Sequence, residues 1–600
     1  RQRQMCIRDR INVGTGNSAG SLAAGNADLN GAAVVLDPVG QGNDTIGNAS
    51  KAALAFTNNN VNGLMTVGRN SVLSLGTDDT GKAEQAFAES ELTWGKTGVS
   101  AALYIDQAQK LQVQGGILLD GTKTAAAAEA NKAIFADGSL LIVNGSGIGT
   151  NGIAALTGET GSTLKVSPGA KLYLTSTNAG TYTIAKGFTS TTFGGWSWSA
   201  DTAAVDVSVN KLSEIEKIEK NTTSGDFTVT VRQTDIQKKY DGIALPHILQ
   251  AMDQSRTEYA GIKYLTYLAN DNKLDKEGFI AAVNSFAQGA ENSGATRTGA
   301  LAALDLGTAV QEHLSLAKAA AEQSGGFGKA AVDTADNGGI WAQYIHNKDK
   351  VDNMGGVSYD GQYNGVIIGG DFADRGKYSS GIAFSYGSGD STGSASKNEF
   401  DFWGLSYYGG IQNGDTNLIF DVGYSKTSSD VKGVIKAEPD TQVISMGIKG
   451  EKVISNGHGT SYVPYAGLRY MNIDTDSYNG SIDGKTAAHY STDKADLWLL
   501  PVGISISHES VTAGGWKVRP TADIAYVWTL GDKNTAMDIT VPGVNATDRL
   551  GYDIMDSGFF VGKLGLEAEK GDWTYGLGYA CQKGSHAQNS KFMLNVTYSF

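Results

Sequence analysis

The stretch KFMLNVTYSF, residues 591–600, decides the fold class. Side chains of an extended strand point alternately to its two faces, so one face here is apolar and the other is mostly polar or small. The apolar face holds Phe592, Leu594, Val596, Tyr598 and Phe600. Such a face needs an apolar neighbour, which is either the second sheet of a soluble sandwich or the hydrocarbon of a lipid bilayer.

Twelve segments with this alternation lie between residue 338 and the last residue. Their apolar faces carry Trp and Tyr near the segment ends, and their opposite faces carry charges, Gly and hydroxyls, which a dry core would exclude. Only a closed barrel leaves no unpaired backbone edge in lipid. We therefore predict an all-β membrane protein with a 12-stranded antiparallel transmembrane β-barrel, whose last strand faces lipid and pairs with the first near Trp341 to Tyr344. The segments begin near Trp341, Tyr363, Tyr378, Asn398, Asn417, Thr441, Ser461, Asp493, Trp516, Gly558, Asp572 and Lys591.

The same alternation assigns single side chains to a face of the barrel. We expect Lys517, Arg519 and Asp523 to point into the lumen. Aromatic residues on the other face should form a lipid-facing belt near the membrane interfaces. This belt consists of Trp498, Trp516, Tyr526, Trp528, Trp573, Tyr575 and Tyr579.

Residues 244–325 follow a helical period instead. In TGALAALDLGTAVQEHLSLAKAAA, residues 298–321, apolar residues recur every three or four positions and predict a helix with one apolar stripe. The stripe consists of Ala303, Leu306, Val310, Leu314 and Ala317. A helical spacer between two domains would have the same pattern.

Residues 11–243 consist of short alternating units separated by Gly and Asn, such as SLLIVNGSGIGTNGIAALTG at 139–158. Stacked rungs of a parallel β-helix, or solenoid, have this pattern, because Gly and Asn accept the left-handed corner conformations. No strict repeat length is present, so a β-sandwich or an irregular linker remains an alternative. Residues 1–10, with Cys6, are charged and unlike the rest; we interpret them as a scar of cloning or sequence assembly.

Composition excludes some functions. The net charge of −14 argues against nucleic acid as a partner. No run of 18 or more apolar residues is present, and no signal peptide is visible, so an exported protein would be represented here by a fragment. The histidines form no metal-ligand motif, and GDSTG at 389–393 lies in a Gly/Ser turn between two barrel segments. We expect no enzyme activity, no cofactor and no metal.

Residues 338–600 resemble the β-domain of the monomeric autotransporters, the type V secretion family of Gram-negative bacteria. The resemblance rests on GGIWAQYIHNKDKVDNMGGVSYDGQYNGVIIGGDFA (338–373), YVPYAGLRY (462–470) and LNVTYSF (594–600). GALAALDLGTAVQEHLSLA (299–317) is similar to the family's helix inside the barrel. The chain then divides into a scar (1–10), a solenoid passenger (11–243), a helical linker with the lumenal helix (244–325) and the barrel (326–600).

The resemblance implies an outer-membrane barrel that anchors and translocates its own passenger to the cell surface. Outer-membrane lipid, the barrel assembly machinery and periplasmic chaperones are the implied partners, and the chain should be a monomer. The assembly machinery would recognise Leu594, Val596, Tyr598 and Phe600. We expect Gln311 and Glu312 of the helix to lie near Lys517 and Arg519. The passenger should be adhesive or structural, with its ligand unidentified; a porin-like channel and a lost enzymatic passenger are the alternatives.

Overall fold

The structure is a computed structural model that describes residues 20–24, 33–36, 52–56, 64–68, 71–76, 101–106, 111–112, 115–120, 128–199, 206–315, 339–372, 377–456 and 458–599. The predictions for residues 1–10, Ala317 and Phe600 concern residues outside these ranges. The chain forms two compact units. Residues up to Val283, together with Gly543–Ala546, belong to the first unit, and the remaining described residues belong to the second.

The first unit is built on three sheets of short, parallel strands, and the predicted β-solenoid is confirmed. Leucines at equivalent positions of successive rungs stack directly on each other: Leu73 on Leu103, Leu103 on Leu141, and Leu141 on Leu172. All four are fully buried, so this column is the solenoid's core. The strands are Gly20–Ala24, Ala52–Phe56, Ser71–Leu75, Ala101–Ile105, Ser139–Asn144, Lys171–Thr175 and Val207–Val209 in the first sheet; Ala33–Leu36, Leu64–Val67, Ile117–Leu119, Lys132–Phe135, Thr163–Val166 and Ser190–Phe193 in the second; and Leu111–Gln112, Ala154–Thr157 and Gly180–Lys186 in the third.

An antiparallel hairpin ends the parallel stack. Strands Ser213–Asn221 and Asp226–Gln233 pair with each other, and the second pairs with Gly180–Lys186. Trp196 is fully buried between the rings of Phe135 and Phe227, at centroid distances of 5.0 and 5.2 Å. The helices described up to Gln288 are Gly145–Ile148, Ile236–Lys239, Pro246–Ala251, Ala260–Asn270 and Lys276–Gln288.

The second unit contains the barrel. Twelve antiparallel strands pair in chain order, β6 pairs with β7, and β12 pairs with β1, so the sheet closes. The predicted 12-stranded barrel is confirmed, including the pairing of Tyr344 with Leu594 at the closing seam. The strands are β1 Gly339–Met354, β2 Val357–Asp371, β3 Tyr378–Gly393, β4 Ser396–Asn413, β5 Thr416–Gly433, β6 Asp440–Lys452, β7 Thr460–Thr475, β8 Ala495–His508, β9 Lys517–Gly531, β10 Gly558–Lys570, β11 Trp573–Lys583 and β12 Ala587–Ser599. Two short strands, Ile454–Ser455 and Ser510–Val511, extend its edge.

A helical segment passes through the barrel. A 3₁₀ turn, Gly289–Ser293, is followed by helix Ala295–His313, which we call the lumenal helix. Gly294 joins them with φ +71°, a left-handed conformation that favours glycine. We call the end of the barrel where this helix begins the upper end; the turn between β1 and β2 lies there, and the turn between β4 and β5 lies at the lower end.

A four-stranded antiparallel sheet that the alternation did not predict lies at the upper end. We call it the cap sheet; its strands are Tyr478–Ile482, Lys485–Thr492, Asn534–Thr540 and Thr547–Asp553. Asp483 and Gly484 form its first turn with φ of +50° and +74°. An Asp-Gly pair at such positive φ values is a strong hairpin signal, so the sequence did contain a local indication of this sheet. Among the described helices, none is long and apolar enough to cross a membrane.

Candidate functional site

The lumenal helix is buried along nearly its whole length, so the barrel interior is the candidate site. Ala303, Leu306 and Val310 of the predicted stripe are at most 3% exposed. Leu314 is also buried but follows the last residue of the helix. Leu306, Val310 and Leu314 pack against apolar residues of the inner barrel wall, namely Trp341, Ile345, Ile367, Ala383, Tyr408 and Ile419.

One face of the lumenal helix approaches the barrel wall closely at Gly307. A Cβ atom at this position would lie 2.0 Å from the guanidinium group of Arg469. Arg469 makes two ion-pair hydrogen bonds to Asp421, of 2.8 and 2.9 Å, and the Gln311 amide donates to the same carboxylate at 2.8 Å. The absence of a side chain at Gly307 therefore allows the helix to lie directly on this ion pair.

Asp305 is the central acceptor of a second polar cluster. It is 5% exposed and accepts hydrogen bonds from the ammonium group of Lys591, from the hydroxyl of Tyr363 at 2.5 Å and from the amide of Asn347 at 3.1 Å. Asn589 donates to Asn347 at 2.6 Å. Strands β1, β2 and β12 thus bind one carboxylate of the helix, and they meet at the seam that closes the barrel.

Two further ion pairs attach the ends of the helix. Near its start, Arg297 makes a bidentate pair with Asp349 of β1, with both hydrogen bonds 3.0 Å long. Near its end, Glu312 accepts from Lys563 of β10. The expected partners of the helix were wrong: Gln311 and Glu312 bind Asp421 and Lys563, not Lys517 and Arg519.

The residues predicted to face the lumen have other partners. Arg519 is 4% exposed and pairs with Glu509, Glu567 and Glu569, at 3.0, 3.3 and 3.5 Å. Lys517 also pairs with Glu569, at 3.5 Å. Asp523 accepts hydrogen bonds from the hydroxyls of Ser505 and of Tyr465. These residues therefore contact other residues of the barrel wall, in its lower half.

A cavity of about 230 Å³ lies beside the lumenal helix. The helix packs mainly against β4, β5 and β6, and the cavity lies between it and the wall at β8 to β12, across which Lys563 and Lys591 pair with the helix. Glu312, Lys563, Asp523 and Lys591 line the space together with apolar residues such as Phe559. The space is large enough for several water molecules, so these charges retain access to hydration.

The outer surface of the barrel carries the aromatic residues chosen for the belt. Trp498, Trp528, Trp573, Tyr575 and Tyr579 are between 41 and 51% exposed, and Trp516 and Tyr526 are half-buried. The ring of Trp498 lies 4.8 Å from that of Tyr470 towards the upper end, and the ring of Trp573 lies 4.7 Å from that of Tyr598 at the lower end. Leu594 and Val596 of the C-terminal strand lie on the same outer surface.

At the upper end, Glu291 is buried beneath the cap sheet, outside the membrane-spanning parts of the strands. Its carboxylate accepts hydrogen bonds from the hydroxyl and the amide of Thr296, at 2.8 and 3.3 Å. Tyr478 and Tyr490 of the cap sheet form hydrogen bonds with backbone groups beside it: Tyr490 donates to the carbonyl of Phe286 at 2.6 Å, and the Tyr478 hydroxyl accepts from the amide of Ala290 at 3.0 Å. Burial raises the pKa of Glu291 to about 7, against the Thr296 hydrogen bonds, which lower it.

This raised pKa predicts a pH-dependent barrel. A carboxyl whose pKa is higher in the folded state than in the unfolded state contributes stability below its unfolded pKa, and this contribution is lost as the pH rises through the folded pKa. We expect the free energy of unfolding to fall by about 2 kcal/mol between about pH 5 and pH 7 because of Glu291. Urea titrations of the refolded barrel across this range, compared with Glu291→Gln, measure the difference. Exposed Glu399→Gln is the control; a Glu291→Gln protein with the wild-type pH dependence would contradict the prediction.

The inward-facing acceptors Asp305, Asp349 and Asp421 were not singled out from the sequence. Isolated charges at positions that alternate with lipid-facing residues are the signal that could have found Asp349 and Asp421, because an ionised group in the lumen requires a partner. No comparable local signal identifies which residue each one binds. The arginine partners of Asp349 and Asp421 lie 52 and 48 residues away in the chain.

Comparison with known families decides what this barrel is. The family model described as the autotransporter beta-domain matches residues 340–580. The barrel is an autotransporter β-domain. The predicted resemblance is thereby confirmed, as is the location in the outer membrane, and the protein is an outer-membrane autotransporter that carries a passenger. The barrel is a transport domain and not a catalytic fold.

Solved structures of similar proteins include autotransporter translocator domains. The translocator domain of NalP from Neisseria meningitidis is 13% identical, with 51% of this chain and 96% of that chain covered and a TM-score of 0.38. The β-domain of Bordetella BrkA is 17% identical, with coverages of 44% and 100% and a TM-score of 0.36. The transport unit of AIDA-I from Escherichia coli is 14% identical, with coverages of 52% and 99% and a TM-score of 0.35. A search of curated proteins returned no match.

Proposed function

We propose that the barrel translocates the solenoid through the outer membrane and then anchors it at the cell surface, with the lumenal helix as the link between them. The observation that carries this proposal is the helix Ala295–His313, which occupies the lumen and is held by ion pairs at Arg297, Asp305 and Glu312. The helix starts at the upper end and leads to the lower end, so the preceding chain leaves the barrel at the upper end. The upper end then faces the cell exterior.

Epitope tags at matched turns test this orientation. One tag replaces the turn at Gly484 in the cap sheet, a second lies at Gly152 in the solenoid, and a third lies at Gly414 in the lower turn between β4 and β5; an added Cβ at each of these glycines would meet no atom within 4 Å. Antibodies should label the first two tags on intact cells and the third only after permeabilisation. Labelling of Gly414 on intact cells, without labelling of the other two, would overturn the proposal.

The passenger is proposed to be adhesive or structural, without an enzymatic role. A stack of parallel sheets offers an extended, repetitive surface, which solenoid proteins commonly use for binding. Bacteria that display the full chain should adhere to host-cell or abiotic surfaces more than bacteria that display residues 284–600 alone. Equal adherence of the two strains would exclude the adhesive role.

We also propose that outer-membrane lipid, periplasmic chaperones and the barrel assembly machinery are the partners of a monomeric chain, and that the C-terminal strand is the assembly signal. Backbone pairing between β12 and β1 does not require an aromatic side chain at Phe600. We therefore expect Phe600→Ser to fold in detergent with little loss, while its amount in the outer membrane of cells falls sharply. Heat-modifiable mobility of the purified protein, compared with surface levels in cells, measures both.

A matched change separates recognition from packing. Leu577→Ser removes a lipid-facing apolar side chain from β11, beside Leu594 of β12. It should weaken folding in detergent at least as much as Phe600→Ser but reduce membrane levels in cells less. If both variants lose folding and membrane level in parallel, Phe600 acts through packing alone.

A further inference from the structure

The outer surface at the barrel seam carries a group of lysines above the apolar belt. Lys348 and Lys350 of β1 and Lys583 of β11 are exposed on the lipid side of the strands, towards the upper end. Strand pairing places Lys350 opposite Gln588 of β12, and Gln588 opposite Lys583. Because neighbouring strands lie about 4.8 Å apart, the Cα atoms of these two lysines are separated by about 10 Å. We call Lys348, Lys350 and Lys583 the seam lysines.

The seam lysines differ in their partners from four other lysines at the upper end, namely Lys397, Lys426, Lys432 and Lys494. On β4 and β5, Lys397, Lys426 and Lys432 each lie within 3.4 Å of a carboxylate oxygen of Glu399, Asp440 or Asp430. Lys494 likewise pairs with Asp474 at 2.7 Å. Within the described residues, the seam lysines form no ion pair, and Lys583 donates only to Gln588, at 3.3 Å.

Most residues around the seam lysines are neutral or cationic, and the exposed carboxylates of Asp352 and Asp360 lie beside Lys350 only. Ser590 and Gln588 of β12 and Gln362 of β2 lie opposite them in the sheet, and His346 is the next outward residue below Lys348. The nearest outward carboxylate in the strand pairing is Asp360, opposite Lys350 at the upper edge. Directly below the group, Tyr344 and Phe592 are exposed on the same outer surface as Tyr579 of the lipid-facing belt. The lysines therefore lie at the level of the lipid head groups.

We propose that the seam lysines bind the phosphate groups of a phosphorylated lipid in the leaflet at the upper end, whose acyl chains lie along the belt at β11, β12 and β1. Three ammonium groups that form no ion pair among the described residues supply donors and positive charge for a phosphate, and the aromatic and aliphatic belt supplies the apolar surface. The identification of this leaflet as the outer one rests on the proposed function. The binding itself does not depend on the orientation of the barrel.

The test measures binding of fluorescent lipid A, in phosphorylated and dephosphorylated forms, to the purified full chain in mixed micelles. The patch variant is Lys348→Gln/Lys350→Gln/Lys583→Gln, and the matched control is Lys397→Gln/Lys426→Gln/Lys432→Gln on the paired lysines. We expect roughly fivefold weaker binding of the phosphorylated form for each seam lysine removed, and little change in the control variant. Heat-modifiable mobility verifies that each variant is folded, and single substitutions replace the triple one if it is not.

Several outcomes would overturn the proposal. Equal affinity for the two forms of the lipid would exclude phosphate recognition, and equal losses in the two triple variants would indicate a general effect of charge. Competition by inorganic phosphate as effective as that by the lipid would identify a site for free phosphate and not for a lipid. If the lipid binds as proposed but the tag at Gly484 is not labelled on intact cells, the orientation fails and the lipid site stands.

Discussion

Replacing Arg297 with methionine is expected to lower the free energy of unfolding of the barrel by about 3–5 kcal/mol. Arg297 and Asp349 are 7% exposed each and are joined by two hydrogen bonds of 3.0 Å. Arg297 also donates to the carbonyl of Ile554 at 2.9 Å. Without the guanidinium group, the buried carboxylate of Asp349 has no cation to compensate its charge, which is why the loss is large.

The double variant Arg297→Met/Asp349→Leu identifies the cause. If the cost of Arg297→Met comes from the uncompensated carboxylate, removing that carboxylate should restore most of the lost stability. Urea unfolding of the refolded full chain, followed by heat-modifiable mobility, gives the three free energies. A double variant that is no more stable than Arg297→Met would show that the packing of the arginine, and not its charge, holds this end of the helix.

Replacing Val502 with arginine is expected to cost about 2–4 kcal/mol, because Val502 lies on the lipid-facing side of β8 at the middle of the apolar belt. Val502 is 44% exposed, between Trp498 and Ile506 on the same face. Ser505, only three positions away, is 8% exposed, points inward and donates to Asp523. Ser505→Arg should therefore cost much less, since its charge would enter a hydrated lumen beside a carboxylate.

Folding titrations into liposomes compare the two arginine variants under the same conditions. Val502→Leu serves as a control for the change in side-chain size on the lipid side. Equal penalties for the two arginines, or a larger penalty at Ser505, would mean that the two faces of β8 have been exchanged or that this strand does not lie in lipid.

Local sequence pattern was sufficient for the barrel. Alternation over the twelve segments identified each strand within a few residues, except for β2, which starts at Val357 and not near Tyr363. The alternation was sufficient because a membrane strand has lipid on one face for its whole length, so each outward position requires an apolar side chain. The cap sheet was missed because its strands are short and lie outside the membrane, where no such requirement applies.

The polar contacts inside the barrel depend on tertiary structure. Asp305 and Lys591 are separated by 286 residues, and Glu312 and Lys563 by 251. The sequence shows that a charge at an inward position needs a partner, but the partner depends on strand order, stagger and the position of the helix in the lumen. For this reason the sequence assigned Gln311 and Glu312 to Lys517 and Arg519. These two residues lie on the inner face of the barrel, but in a different part of its wall from the actual partners Asp421 and Lys563.

By itself, therefore, the sequence determined which segments are barrel strands, which of their faces meets lipid, that a helix precedes the barrel and that short alternating units precede the helix. Each of these follows from a short-range period of two or of about 3.6 residues. Only the tertiary structure decided that Gly307 lies on Arg469, that Asp305 joins three strands at the seam, and that the seam lysines form no ion pair among the described residues. These features depend on distances between residues far apart in the chain, and closure of the barrel sets those distances.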